Sequence, residues 1–207
     1  MMNMMLLKPG DNGVFVEYLT LALERSGFSA GGIGDDFNSK VYNALVAFQN
    51  AAGLAADGVA GEQTWNKLLP YLTGYTQITT LPGDTLASVA SAYSTTQEAI
   101  ETANPFISDF NLTPNTTLTV PYGFDVVPEN VKYSYFLTVL IVDGLRARYP
   151  FMSVSSAGES VMGRDLLYMT IGEGSTEVFA NASHHANEWI TTPLLMKYLE
   201  TLLHAAA

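Results

Sequence analysis

A chain of 207 residues with 48% hydrophobic content has room for one to three domains with real cores, which excludes a disordered polymer. Its net charge of −11 and pI near 4.5 exclude the basic surface that nucleic acid or an anionic membrane requires. Without cysteine, neither a disulfide framework nor a thiolate metal site is possible. The opening residues Met1 to Pro9 have no charged n-region or long apolar core and do not read as a signal peptide. The longest apolar stretch, Leu137 to Val142, is too short for a membrane span.

The first segment covers residues 8–72. Val16, Leu19 and Leu23 recur at helical spacing until Gly27-Phe28. A second helix carries Val41, Ala44, Leu45 and Phe48 and ends near Gly53-Leu54. The turn cluster Asp57-Gly58-Val59-Ala60-Gly61 leads to a third helix opened by Thr64-Trp65, with Leu68 and Leu69. This predicts a small three-helix bundle, marginal in core size, with Trp65 inside it.

The second segment covers residues 75–122 and has the order β-α-α-β. Tyr75 and Ile78 lie on an alternating strand. Thr85 caps a helix that buries Leu86, Val89, Ala90 and Tyr93. Thr95-x-x-Glu98 reads as a capping box for a helix with Ala99 and Ile100 that ends at Asn104-Pro105. Leu118 to Pro121 closes the sheet. The segment contains no Lys or Arg, which suits a neutral ligand and disfavours an anionic polymer.

Residues 123–132, with Pro128, read as a linker. The third segment, residues 133–207, predicts a helix from Tyr135 to Tyr149 ended by Pro150. A hairpin follows, turning at Gly163-Arg164, then a third strand, Glu177 to Ser183. A closing helix, Trp189 to His204, has Leu194, Leu195, Tyr198, Leu199 and Leu202 as its apolar face. The order is that of an incomplete α/β domain with a mixed sheet.

The strand-to-helix turn of this segment holds His185-x-x-Glu188. An imidazole and a carboxylate three residues apart can face one point and suit zinc, which takes nitrogen and oxygen ligands. The alternative is a buried ion pair beneath Trp189. A catalytic zinc uses three protein ligands, and His204, on a helix sixteen residues past Glu188 and so roughly 24 Å away, is too far to be the third. His184 is expected on the opposite face of the strand, as a packed histidine. Arg164, at its turn, is expected to pair with a carboxylate or carbonyl.

Each segment also resembles a known family. Val16-x-x-Leu19, Gly27-Phe28, Phe48-Gln49, Gly53-Leu54 and Asp57-Gly58-x-x-Gly61-x-x-Thr64-Trp65-x-x-Leu68 resemble the peptidoglycan-binding type 1 domain. Thr20, where that family favours Gln, and Asn38 with Val41 depart from its pattern; a generic three-helix spacer is the alternative. Gly83-Asp84-Thr85-Leu86, Val89-Ala90, Asn104-Pro105 and Leu118-x-Val120-Pro121 resemble a LysM domain. That resemblance implies a glycan groove lined by Gly83, Asp84, Thr85 and Leu86 on one side and Ile107 on the other. Gly158-Glu159-Ser160-x-x-Gly163-Arg164-x-Leu166, with His185-Ala186-Asn187-Glu188-Trp189, resembles the N-terminal part of the zinc carboxypeptidase family, peptidase family M14.

In that family the matching His and Glu bind zinc. Asn187 resembles members that cut the γ-D-glutamyl–diaminopimelate bond. Together the resemblances imply a bacterial cell-wall metallopeptidase that binds Zn2+, peptidoglycan glycan strands and stem peptides, present as an N-terminal portion. The family's remaining catalytic residues have no counterpart here, so the catalytic groups are unassigned and this portion alone is expected to be inactive. The implied location is the cell wall or the extracytoplasmic space. The competing reading is a non-catalytic wall anchor with an inactive peptidase remnant.

Overall fold

The computed structural model describes residues 5–185 and 187–207. The chain divides into two compact units, one comprising residues up to Thr73 with Pro128–Ser134, the other Gly74–Val127 with Tyr135–Ala207.

The first unit is the expected three-helix bundle: α1 (Val14–Arg25), α2 (Ser39–Ala51) and α3 (Glu62–Thr73). The Asn38 carbonyl oxygen caps α2 by accepting from Lys40 N and Val41 N. Thus a residue that departs from the family pattern still does the work of a helix start. Leu19, Leu23, Leu45, Trp65, Leu68 and Leu72 fill the core, and the Trp65 indole N–H donates to Met5 O.

One buried polar residue holds the turns together. Gln49 Nε2 donates to Asp57 Oδ1, Val59 O and Thr64 Oγ1, while its Oε1 accepts from Gly58 N at 2.9 Å. The Phe48-Gln49 and Asp57-Gly58 signatures are therefore two halves of one network. Gln49→Leu leaves the buried Gly58 N–H without its acceptor, while the Val59 carbonyl keeps Gly61 N, and is expected to cost about 1–3 kcal/mol. Urea unfolding measures this; a loss below about 0.5 kcal/mol would mean that water replaces the amide.

Residues 128–134 pack onto this bundle. Val131 is buried, Lys132 N donates to Glu17 Oε2, and the Tyr18 hydroxyl donates to Lys132 O at 2.7 Å. Lys132 Nζ pairs with Asp35 at 2.7 Å, and this contact holds the Asp35 carboxyl below its ordinary range. The stretch read as a linker is thus tied down.

The second unit begins with the β-α-α-β segment: β1 (Tyr75–Thr79), α4 (Leu86–Ala92), α5 (Gln97–Ala103) and β2 (Thr117–Pro121). The two strands are antiparallel, with Tyr75 opposite Pro121 and Ile78 opposite Leu118. Leu86, Val89, Ala90, Ile100, Leu118 and Val120 form its core. Thr85 makes a capping box with Ser88. The cap of α5 is Thr96, one residue later than expected, accepting from Ala99 N. Asn104 donates to Ile100 O and Thr119 O and accepts from Thr119 N, stitching the end of α5 to β2.

The third segment adds α6 (Tyr135–Arg148), an antiparallel hairpin of β3 (Ser153–Glu159) and β4 (Asp165–Thr170), and α7 (Thr191–Ala206). The hairpin turns at Gly163, and Arg164 lies over the Tyr135 ring, 5.4 Å from its centroid, where a carboxylate or carbonyl partner was expected. Residues 177–183 form no strand, so among the described residues the sheets are two antiparallel pairs and no mixed sheet is present. An apolar run reads as a strand when neighbours cover both of its faces. Here Val178 and Phe179 are 90% and 74% exposed.

The buried side of α7 is offset from the apolar face expected, of which Leu195 and Leu199 are half-buried. Met196, Glu200 and Leu203 are buried, whereas Leu194, Tyr198 and Leu202 are exposed. Glu200 is anchored on the buried side. Its Oε1 accepts from Val126 N at 2.5 Å and Val127 N at 3.3 Å, and its Oε2 accepts from Lys197 Nζ. Lys197 also pairs with Asp125 at 2.5 Å.

The Lys197 hydrogen bond lowers the Asp125 carboxyl from its usual 3.8. A depressed carboxylate stabilises the fold above its unfolded pKa, and this contribution fades as pH falls through the depressed value. Asp125→Asn is therefore expected to cost under about 1 kcal/mol at neutral pH, the pair being largely exposed, and to flatten stability loss below pH about 4. A thermal-melt series against pH reads both effects.

Candidate functional sites

The loops flanking α4 and α5 form the first candidate site. Gly83 adopts φ +93 and lets the chain turn sharply into α4. Asp84 Oδ2 accepts from Leu81 N at 2.7 Å, and Thr85 caps α4. Asp109, in the loop after α5, crosses to the first loop: its Oδ1 accepts from Leu86 N at 3.0 Å and its Oδ2 from Gln97 Nε2 at 3.0 Å. The two loops are thereby held at a fixed separation. Asn111 braces the second loop by accepting from Ser108 N and donating to Phe106 O.

Of the residues expected to line the groove, Gly83 and Thr85 are exposed and Asp84 and Ile107 half-buried. Leu86 is completely buried, so its side chain serves the core, and its N–H is engaged by Asp109. Ile107 leans against the same core. The sequence reading passed over Asp109 and three exposed apolar side chains on these loops: Leu81 at 67%, Phe106 at 89% and Phe110 at 102%. The available signal was two phenylalanines four residues apart in the loop after Asn104-Pro105.

The second candidate site is the turn before α7. Ser183, at φ +52, donates its N–H to Thr191 Oγ1, and the Thr191 hydroxyl donates to Glu188 O. This holds the turn across the start of α7. His185 Nδ1 and Glu188 Oε1 are 2.9 Å apart, both exposed, and Trp189 is 62% exposed, so the pair is not buried beneath it. His184 is exposed too, its ring edge-to-face with His185 at 5.0 Å instead of packed on an opposite face. Ala186 lies outside the described residues.

Donor atoms of two ligands on one tetrahedral zinc, each about 2.0–2.1 Å from the metal, stand roughly 3.3 Å apart. The His185–Glu188 pair approaches that separation and is chemically fit to supply two ligands. Among the described residues, no group of three His, Cys, Asp or Glu side chains comes together. Nor is any helix among them long and apolar enough to cross a membrane.

Known families match each of the three segments. A peptidoglycan binding domain model matches residues 12–68, a LysM domain model 78–121 and a zinc carboxypeptidase model 139–206. The chain resembles a modular cell-wall peptidase. It is 38% identical over 74 residues to gamma-D-glutamyl-L-diamino acid endopeptidase 1 of Lysinibacillus sphaericus, covering 36% of this chain and 19% of the relative. Over 54 residues it is 43% identical to YqgT of Bacillus subtilis (strain 168), covering 25% and 14%. The chain thus spans less than a fifth of the length of these curated relatives. A crystal structure of a peptidoglycan-binding protein from Clostridioides difficile, complexed with glutamine hydroxamate, aligns at 38% identity with a TM-score of 0.31. It covers 33% of this chain and 42% of that one.

Proposed function

We propose that this chain is the wall-binding part, with a portion of the peptidase domain, of a zinc metallopeptidase that acts on peptidoglycan stem peptides. The proposed modules are residues 8–72, 75–122 and 133–207. The observation that carries the binding half is the pair of loops bridged by Asp109, rimmed by Leu81, Phe106 and Phe110, in a segment without Lys or Arg. Apolar rims suit the pyranose faces and acetamido methyl groups of a neutral glycan. Gly83, Asp84, Thr85 and Ile107 shape the groove, and the buried Leu86 supports it from beneath.

The peptidase half rests on the family match and on the name of the Lysinibacillus relative, which supports the γ-D-glutamyl–diamino acid bond as the target of the whole protein. His185 and Glu188 would hold zinc, whose chemistry when bound is to polarise a carbonyl and activate water. Binding modules in front of such a centre raise the local substrate concentration. The site of action is the bacterial cell wall.

Co-sedimentation with insoluble peptidoglycan tests the binding half. The chain is expected in the pellet at low and high salt alike, since no charge-driven mode is available in the groove. Phe106→Ser with Phe110→Ser should move protein into the supernatant. Retention unchanged by both substitutions would place binding elsewhere.

A further inference from the structure

The second unit holds a cavity of about 410 Å³ that none of the groove loops line. Its walls are the turn between α4 and α5, the side of α5, residues 121–125 and the end of α7. Tyr122 and Phe124 stand in one wall with their rings stacked, 5.5 Å between centroids and 9° between planes. Both line the cavity and are half-buried, and Tyr122 packs against Tyr93 as well, 6.1 Å between centroids.

The charged groups on the walls are engaged in holding the fold. Arg148 donates to Gly74 O and Tyr122 O, Glu200 accepts from Val126 N and Val127 N, and Asp125 pairs with Lys197. The walls also include Thr102, Glu98 and His204, together with Thr96, whose hydroxyl oxygen caps α5. An anion would find no uncommitted Arg or Lys there. A cavity whose walls include a stacked aromatic pair, a threonine and one carboxylate matches a ligand with an apolar face and many hydroxyl or acetamido groups.

We propose that this cavity is a second saccharide site, distinct from the loop groove, which takes one sugar unit against the Tyr122–Phe124 wall. The unit's hydroxyls would be held by Thr102 and Glu98. The inference rests on the glycan-binding reading above. Two contacts on one glycan strand would raise avidity through effective concentration.

The test is amide NMR of the whole chain titrated with tetra-N-acetylchitotetraose and, separately, with the dipeptide γ-D-glutamyl-lysine. Two sets of shifts are expected with the sugar, one across 81–86 and 105–112, the other across 95–102 and 122–125. Phe124→Ala should weaken the second set about tenfold and leave the first intact, as removal of one aromatic face implies. Glu98→Gln, on an exposed position, should weaken it too and serves if Phe124→Ala perturbs folding. Sugar shifts confined to the first set would overturn the second site while leaving the groove reading standing. No sugar shifts at all would overturn both. Shifts at the cavity with the dipeptide but not the sugar would overturn the saccharide assignment.

Discussion

Arg148→Met is expected to destabilise the second unit by about 3 kcal/mol, a fall in Tm of roughly 6–12 °C for a chain of this size. Arg148 is 8% exposed at the last residue of α6. Its Nε donates to Gly74 O at 3.2 Å, and its guanidinium also donates to Tyr122 O. Those carbonyls sit at the entry to β1 and the exit from β2, where Tyr122 N also donates to Gly74 O. One side chain therefore closes both ends of the β-α-α-β segment onto α6. Burial lowers the guanidinium pKa, while Glu200 and Asp125 oppose that shift. Methionine would fill the volume but leave two carbonyls without this donor, while Glu200 keeps Lys197 as its charged partner. Arg148→Lys keeps the charge and loses the fork, so it should fall between wild type and Arg148→Met. An unchanged melt in the methionine variant would show that packing of α6 alone holds the segment.

The elements legible in the sequence were those specified by near neighbours. Thr85 and Asn104-Pro105 mark helix ends through hydrogen bonds to residues a few positions away, and the structure places helix ends at each, whereas Asn38 was noted only as a departure from a pattern and proves to be a cap. Alternation at Tyr75 and Ile78 and the closing run to Pro121 needed only each other, through a shared register. What escaped the sequence depends on distant partners. The burial of Val126, Val127 and Val131 in a stretch with linker composition requires Glu200 in one case and the first bundle in the other. The burial of Glu200 on α7, beside half-buried Leu195 and Leu199, goes with a backbone donor 74 positions away. At the groove, the loop glycine and cap were visible, but Asp109 reaches Leu86 N from 23 residues away, and no local pattern announces that. His185 and Glu188 were visible as a pair because they lie three residues apart and meet within one turn.

The purified chain is expected to bind zinc weakly and to show no turnover of γ-D-glutamyl–diaminopimelate peptides. His185 and Glu188 can supply two ligands, and no third His, Cys, Asp or Glu among the described residues joins them. A zinc held by two exposed side chains keeps most of its coordination with water, and a stable catalytic site needs a third protein ligand. Without metal, the two groups also satisfy each other, since Nδ1 and Oε1 are already at hydrogen-bond distance. Zinc must displace that contact before it gains either ligand. Dialysis against a chelator should therefore strip the metal readily, and His185→Ala should lower zinc retention while leaving the melting of the first unit unchanged. Assay with added zinc, beside His185→Ala, decides the matter. Robust hydrolysis that disappears in the variant would mean that a full catalytic set assembles around His185 from side chains read here as structural.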